Sequence, residues 1–305
     1  MPRAVDRAVA TGCDALQIFT KSTGQWRARV LPDDEVKAFR RKADEAGLSP
    51  RVAHASYLIN LGTAEPALRA RSISGLVEEL DRAERLGLDA LVLHPGATVG
   101  GDEAGGLRLV AEASAAAFKA RPRQRVKLLF EHTAGQGSSL GWRFEHLQRI
   151  LELLDGTPRA GVCLDTCHLL AAGYDWRTPS GYKQTFDAFE RLVGFDRLKV
   201  MHLNDSKKPC GSRVDRHEHI GKGEVGTIAF KRLVNDPRLK NMGMVLETPK
   251  QADTADADPF DRENLYLLRS LVRKGKGQRA KGKGEERGKG KGERGKGKQR
   301  RLTCR

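Results

Sequence analysis

The segment Met201–Gly226 concentrates residue types that could bind a metal ion. His202 follows the apolar run Leu198–Met201, so we expect it where a strand ends and a loop begins. Asp215 and His217 are two residues apart, and an extended backbone turns side chains at that spacing to the same side. A carboxylate combined with imidazoles suits zinc or manganese. A solvated polar loop could carry the same residues, so this segment alone leaves both interpretations open.

Short apolar runs divide most of the chain, and stretches with apolar residues at helical spacing lie between most of them. Strands that alternate with helices predict parallel βαβ units, and this number of units over about 250 residues favours a TIM-type (β/α) barrel. We therefore predict one α/β barrel domain over residues 1–273, with seven of the eight strands that close such a barrel. The predicted strands are Ala15–Phe19, Val52–His54, Ala90–His94, Val126–Glu131, Gly161–Asp165, Leu198–His202 and Met242–Glu247.

Six of these runs end at or beside a histidine or a carboxylate. The carboxyl ends of barrel strands open on one face, so these side chains would converge there although they are far apart in the chain. Buried carboxylates without partners cost several kcal/mol, and metal ions are the natural compensation. With the pair in the first segment, the candidate ligands are His54, His94, Glu131, Asp165, His168, His202, Asp215, His217 and Glu247.

Nine candidate ligands are too many for one ion, because a zinc site uses three or four protein ligands. They indicate two or three metals, the more so if a carboxylate bridges. Ions about 3.5–4 Å apart are typical of enzymes that hydrolyse phosphodiesters. In such sites one ion lowers the pKa of water and another stabilises the leaving oxygen.

The net charge of +16 is concentrated at the carboxyl end. Residues 274–305 hold 14 of the 55 lysines and arginines and three of the 39 acidic residues, a net +11. This Lys/Arg/Gly-rich segment is too poor in apolar residues to fold by burial. We predict a disordered tail that binds phosphates non-specifically, with a solvated extension of no function as the alternative.

The sequence has no long apolar run and no signal peptide, and its five cysteines lack the spacing of a disulfide framework. These features predict a cytoplasmic protein without a membrane partner.

Long motifs contain most of the candidate ligands, and together they resemble the endonuclease IV family of apurinic/apyrimidinic endonucleases over roughly Arg3–Leu271. The three longest are H-A-S-Y-L-I-N at His54–Asn60, G-V-C-L-D-T-C-H at Gly161–His168 and H-L-N-D-S-K-K-P-C-G-S-R-V-D-R-H at His202–His217. Shorter ones are H-P-G at His94–Gly96, E-H-T-A-G-Q-G at Glu131–Gly137 and V-L-E-T at Val245–Thr248.

The resemblance implies a TIM barrel with three zinc ions, one of which could be manganese. A hydroxide bridging the first two ions would attack the phosphate 5′ to an abasic site, leaving a 3′-hydroxyl and a 5′-deoxyribose phosphate. Glu247 would orient or deprotonate that water, Glu131 would bridge the two ions, and 3′-phosphodiesterase activity is expected as well. By resemblance, the first ion is held by His54, His94 and Glu131, the second by Glu131, Asp165, His202 and Glu247, and the third by His168, Asp215 and His217.

The substrate implied by the resemblance is double-stranded DNA that contains an abasic site, bent at the mouth and read by shape. Tyr57, Gln136 and Arg213 stand in motif positions close to the ligands and are our candidates for DNA contact, although each could instead be structural. We expect a nucleoid-associated monomer with no obligate protein partner.

Two alternatives remain open. Family members begin with a strand and a glycine-rich turn before the helix that here starts near Met1, so we expect the first barrel strand to be missing. Open strand edges would then lie beside Ala15–Phe19 and Met242–Glu247, and an inactive, truncated DNA-binding relative is one alternative. A metal-dependent sugar isomerase or epimerase on the same barrel is another, and it would need one or two metals held mostly by carboxylates.

Overall fold

Parallel strands form the barrel at the centre of the structure. The computed structural model describes residues 1–99, 101–251, 257–273 and 302–304. Residues 302–304 are described by their backbone alone. The strands are β1 (Leu16–Phe19), β2 (Arg51–His54), β3 (Ala90–Leu93), β4 (Lys127–Glu131), β5 (Ala160–Asp165), β6 (Leu198–His202), β7 (Asp205–Ser206), β8 (His217–Glu218), β9 (Gly243–Leu246) and β10 (Leu302–Cys304). The order in the large sheet is β1-β2-β3-β4-β5-β6-β9-β10, while β7 and β8 pair separately. All seven predicted strands are present, and the prediction of a TIM-type barrel is confirmed.

Helices connect successive strands on the outside of the barrel, as the alternating pattern predicts. Side-chain caps mark several of their starts: Asp102 accepts from the Gly105 N–H and Thr178 from the Gly181 N–H. None of the helices in the described ranges has the length and apolar character needed to cross a bilayer. The helices are α1 (Pro2–Thr11), α2 (Asp33–Glu45), α3 (Pro66–Leu86), α4 (Glu103–Ala120), α5 (Phe144–Leu153), α6 (Thr166–Ala171), α7 (Pro179–Leu192), α8 (Thr227–Leu233) and α9 (Pro259–Leu271), with a 3₁₀ turn at Pro237–Leu239.

The edge of β9, which we expected to be open, is paired. Strand β10 runs parallel to it, with Leu302 opposite Met244 and Cys304 opposite Leu246, and also lies against β1. An exposed strand edge offers unpaired N–H and C=O groups, so a short segment is stabilised by pairing there. These three residues belong to the predicted tail, whose residues 274–301 and 305 lie outside the described residues.

Apolar side chains form two separate layers because strand residues alternate between the two faces of the sheet. A small cluster that includes Val92, Leu129, Val200 and Val245 fills the barrel interior. The larger core lies between the strands and the helices. The metal-ligand candidates therefore lie above a packed apolar layer.

Asp205 organises the loop that follows β6. Its side chain is fully buried, and its carboxylate accepts hydrogen bonds from the N–H groups of Ser206, Val225 and Gly221 at 2.8, 2.8 and 2.9 Å. Strand β7 also pairs antiparallel with β8, where Ser206 lies opposite His217. This hairpin returns the chain to the barrel mouth and so fixes the position of His217.

We predict that Asp205→Ala destabilises the fold, because the buried N–H groups of Ser206 and Val225 lose their acceptor at about 1–3 kcal/mol for each group left unpaired. Urea denaturation of the metal-free protein should show a loss of about 2 kcal/mol or more. The matched control is Asp44→Ala, since Asp44 is 69% exposed in its ion pair with Arg51. Losing that surface pair should cost about 1 kcal/mol or less, and equal losses in both variants would contradict this role of Asp205.

Candidate metal centre

The nine predicted ligands all lie at the mouth of the barrel, on the side where the parallel strands end. His54, Glu131, Asp165 and His202 are the last residues of β2, β4, β5 and β6. His94 and Glu247 follow β3 and β9 directly, His168 is in α6, Asp215 precedes β8 and His217 begins it. Their ligand atoms form three groups, and within each group these atoms lie within 4.8 Å of one another.

The first group consists of His54, His94 and Glu131. The Nε2 atoms of the two histidines lie 3.0 and 3.3 Å from Glu131 Oε2. On its other side, His54 Nδ1 lies 2.8 Å from the carbonyl oxygen of Ala55. A carbonyl oxygen only accepts, so the proton is on Nδ1 and the Nε2 lone pair faces the group.

The second group shares Glu131 and adds Asp165, His202 and Glu247. Glu131 Oε1 lies 3.0 Å from His202 Nδ1, while its Oε2 faces the first group. Asp165 divides its oxygens in a similar way: Oδ1 caps α6 by accepting from the Cys167 and His168 N–H groups, and Oδ2 lies 3.8 Å from His202 Nδ1. Glu131, fully buried, therefore has the placement of a bridging ligand.

His168, Asp215 and His217 form the third group. The two Asp215 oxygens lie 3.0 and 3.1 Å from His168 Nε2 and His217 Nε2. The Nδ1–H groups of these histidines donate to the carbonyl oxygens of His132 and Glu247. Both Nε2 atoms are buried and face the Asp215 carboxylate, the arrangement expected where imidazole and carboxylate ligands surround one ion.

Cys167 offers another combination, because its sulfur also lies within 4.8 Å of ligand atoms of Asp165 and His217. However, burial raises the pKa of the Cys167 thiol to about 12. The thiol donates to the carbonyl oxygen of Arg216 at 3.7 Å. Asp215 is the better third ligand, because its two oxygens lie 3.0 and 3.1 Å from the Nε2 atoms of His168 and His217, whereas the thiol hydrogen-bonds to the backbone.

Carboxylates and imidazoles at the mouth shift one another's pKa values strongly. Burial lowers the pKa of His217, but Asp165 and Asp215 outweigh it and raise the value to about 9. Burial likewise opposes a raised pKa at His168 and His202, and nearby anions overcome it. The pKa of Glu131 is held well below its ordinary value, because His202 and His94 outweigh the effect of burial. In the metal-free protein, protons on these imidazoles therefore occupy positions that metal ions would otherwise take.

This exchange predicts that zinc affinity rises with pH. Below the His217 pKa of about 9 an ion must displace the proton on that ring, so affinity should increase about tenfold per pH unit for each displaced proton. We expect the increase to continue from pH 7 to 8.5 in competition titrations with a chelator whose own pH dependence is corrected. An imidazole of ordinary pKa, about 6.5, would give a nearly flat curve over that interval, and a flat curve would contradict the account.

The three candidate DNA-contact residues lie on the rim around the ligands. Tyr57 is 56% exposed, and its ring centroid lies 5.4 and 5.9 Å from those of His54 and His94. Gln136 is exposed in the loop after β4. Arg213 is exposed with φ of 55°, and its guanidinium lies 3.9 Å from the centroid of the Trp142 ring. The mouth therefore offers the ring of Tyr57, the amide of Gln136 and the stacked guanidinium of Arg213 to a ligand above it.

Two buried amides at the site carry no ligand signature, and sequence reasoning missed them. Asn204 donates to Asp165 Oδ2 at 2.6 Å and accepts from the Glu247 N–H at 2.8 Å. Gln17 contacts both His202 and Glu247. The available signal was weak: each is a polar residue in or beside a strand whose neighbours are apolar.

Comparison with known proteins agrees with this geometry. The sequence model of the xylose isomerase-like TIM barrel family matches residues 5–269. A protein of Chloroflexus aurantiacus named probable endonuclease 4 is 48% identical over 266 residues, which are 87% of this chain and 92% of the relative. The crystal structure of endonuclease IV from Thermus thermophilus has a TM-score of 0.77 and 40% identity, covering 88% of this chain and 93% of that chain. A D-tagatose 3-epimerase-like protein, with a TM-score of 0.65 and 16% identity over 85% of this chain and 88% of that chain, shares the fold alone.

The matched residues include every strand from β1 to β9 and define the class of the fold, a xylose isomerase-like TIM barrel. Relatives at 40–48% identity over most of both lengths narrow that class. The chain belongs to the endonuclease IV family.

Proposed function

We propose that this protein is a zinc-dependent endonuclease of DNA base excision repair. It would hydrolyse the phosphodiester 5′ to an abasic site, leave a 3′-hydroxyl and a 5′-deoxyribose phosphate, and also act as a 3′-phosphodiesterase. As a member of the endonuclease IV family, it is a hydrolase that acts on DNA. The observation that carries the proposal is the set of three ligand groups at one mouth, two of which share Glu131.

Three zinc ions would be held by the three groups, with Glu131 common to the first two, and manganese could replace zinc at one of them. When bound, such ions supply a nucleophilic water at neutral pH and neutralise charge on the phosphate and the leaving oxygen. Glu247 would orient or deprotonate the water, and this role is supported by its burial, with a side chain 4% exposed, and by its Oε2, which lies 3.3 Å from His202 Nδ1. Asp215 is 37% exposed, so a leaving 3′-oxygen would be able to approach an ion in the third group.

Tyr57, Gln136 and Arg213 would contact the DNA. An abasic site lacks pairing and stacking, so bending the duplex and flipping the sugar into the mouth costs least there. The Tyr57 ring suits packing against the sugar or a neighbouring base, while Arg213 suits a phosphate. We place the protein on nucleoid DNA in the cytoplasm as a monomer.

A sugar isomerase or epimerase remains the alternative, because barrels of that kind share the fold. The third ligand group favours the nuclease, since His168, Asp215 and His217 have no role in a site with one or two ions. An inactive DNA-binding relative would be hard to reconcile with nine converging ligands.

A nicking assay tests the proposal most simply. The full chain is incubated with a duplex that carries one abasic site, and with the same duplex without it, each in the presence and absence of a chelator. We expect one cut immediately 5′ to the lesion, a 3′-hydroxyl product that a polymerase extends, and loss of activity with the chelator. Full activity after the metals are removed, or no cleavage by zinc-loaded protein, would overturn the proposal.

Asp215→Ala should remove one zinc of three and reduce kcat about 100-fold or more, while the KM for DNA changes little. Zinc content by elemental analysis and steady-state nicking measure the two effects. Asp196→Ala is the matched control, because Asp196 is a surface carboxylate that is 80% exposed. Loss of DNA binding without loss of zinc would show that Asp215 contacts DNA instead.

The basic tail, residues 274–305, is proposed to hold the enzyme on DNA through non-specific phosphate contacts. Deleting residues 275–298 should weaken binding to undamaged duplex and flatten its dependence on salt, while zinc content and kcat stay unchanged. This deletion keeps residues 302–304, which pair with β9. Unchanged affinity at low salt would contradict a role for the tail in DNA binding.

A further inference from the structure

One glutamine, Gln17, lies inside the barrel among the metal-ligand candidates. Gln17 is in β1, and its neighbours Leu16 and Ile18 belong to the core between strands and helices. Because side chains alternate along a strand, Gln17 points to the barrel interior, where it is fully buried. A buried amide requires hydrogen-bond partners, and both of its partners are ligand candidates of the second group.

The two contacts of Gln17 together fix the orientation of its amide group. Its Oε1 lies 2.9 Å from His202 Nε2, and its Nε2 donates to Glu247 Oε1 at 2.6 Å. The reverse amide orientation would place its oxygen against the Glu247 carboxylate, two acceptors without a proton between them. The amide oxygen therefore faces His202, whose Nε2 must carry the proton. Nδ1 is then the nitrogen that binds an ion once its own proton is displaced, and it faces Glu131 Oε1 at 3.0 Å and Glu247 Oε2 at 3.3 Å.

In three of the other four candidate histidine ligands, a backbone carbonyl rather than a side chain fixes which ring nitrogen faces the ion site. His54, His168 and His217 each donate from Nδ1 to a backbone carbonyl, those of Ala55, His132 and Glu247. A backbone carbonyl persists through side-chain substitution. His202 instead depends on the side chain of one residue, so its proton position and ring orientation are open to change by mutation.

We propose that Gln17 is a positioning residue of the second ion site, which keeps His202 Nδ1 and Glu247 Oε2 facing the ion and its water. The proposal rests on the metal-dependent function above, because it deepens the role given to Glu247. One amide thereby couples the orientation of a ligand to that of the group that handles the water. Loss of the His202 contact should weaken ion binding, while loss of the Glu247 contact should slow the reaction.

Two variants separate these contacts. Gln17→Met keeps the length of the side chain but removes both hydrogen bonds. Gln17→Glu can still accept from His202 Nε2, but it replaces the fixed amide donor with one proton shared between two carboxyl groups, which partly neutralises Glu247. Gln184→Met is the matched control, since Gln184 is exposed on α7. Each protein is loaded with zinc, and zinc release to a chromophoric chelator, residual zinc per chain and steady-state nicking of abasic duplex are measured.

For Gln17→Met we expect one zinc to be released about 10–100-fold faster than from the wild type, with a fall in kcat of similar size and little change in KM. For Gln17→Glu we expect zinc release near the wild-type rate but a reduced kcat. The control should match the wild type in every measurement. The contrast between the two variants is a result that a general loss of stability would not produce.

Zinc release and kcat at wild-type values in Gln17→Met would overturn the inference. So would equal loss of all three ions in both variants, because Gln17 would then only stabilise the barrel. If the wild type binds zinc but does not cut abasic DNA, the proposed function fails, and the zinc-release rates still decide the role of Gln17.

Discussion

The buried carboxylate of Glu131 is the interaction on which the mouth of the barrel depends. It ends β4 with no exposed surface, and the imidazoles of His54 and His202 each contact a different one of its two oxygens. A lone carboxylate in such a position would be strongly unfavourable, so it is stable only among cationic partners. Protons on the imidazoles meet this need in part, and divalent ions meet it better because each can bind several anionic and neutral ligands at once.

Much of the surrounding structure holds these ligands against their mutual repulsion. Asp165 uses one oxygen to cap α6, which presents His168, and Asn204 ties the other oxygen to the backbone of Glu247. Asp205 in the same way fixes the hairpin that carries His217, by accepting hydrogen bonds from the following loop. Rigid placement of this kind matters for phosphoryl chemistry, where positioning and charge stabilisation supply most of the rate.

The sequence predicted the barrel and the nine converging residues because both follow from local patterns. Apolar runs such as Leu198–Met201 identify strands, and parallel strands bring their ends to one face whatever lies between them. Gln17 and Asn204 escaped prediction because an amide has no ligand signature, and its role depends on what lies across the barrel. The pairing of β10 could not be predicted either. Three residues after a Lys/Gly-rich stretch are too few to show strand periodicity, and their conformation depends on the unpaired edge of β9.

Zinc anomalous scattering from crystals of the loaded protein tests the central claim most directly, because it locates ions independently of activity. The account predicts three peaks at the barrel mouth: two on either side of Glu131, and a third between His168, Asp215 and His217. Two peaks or fewer at saturating zinc would contradict a three-metal centre, and so would a third peak beside Cys167 instead of Asp215.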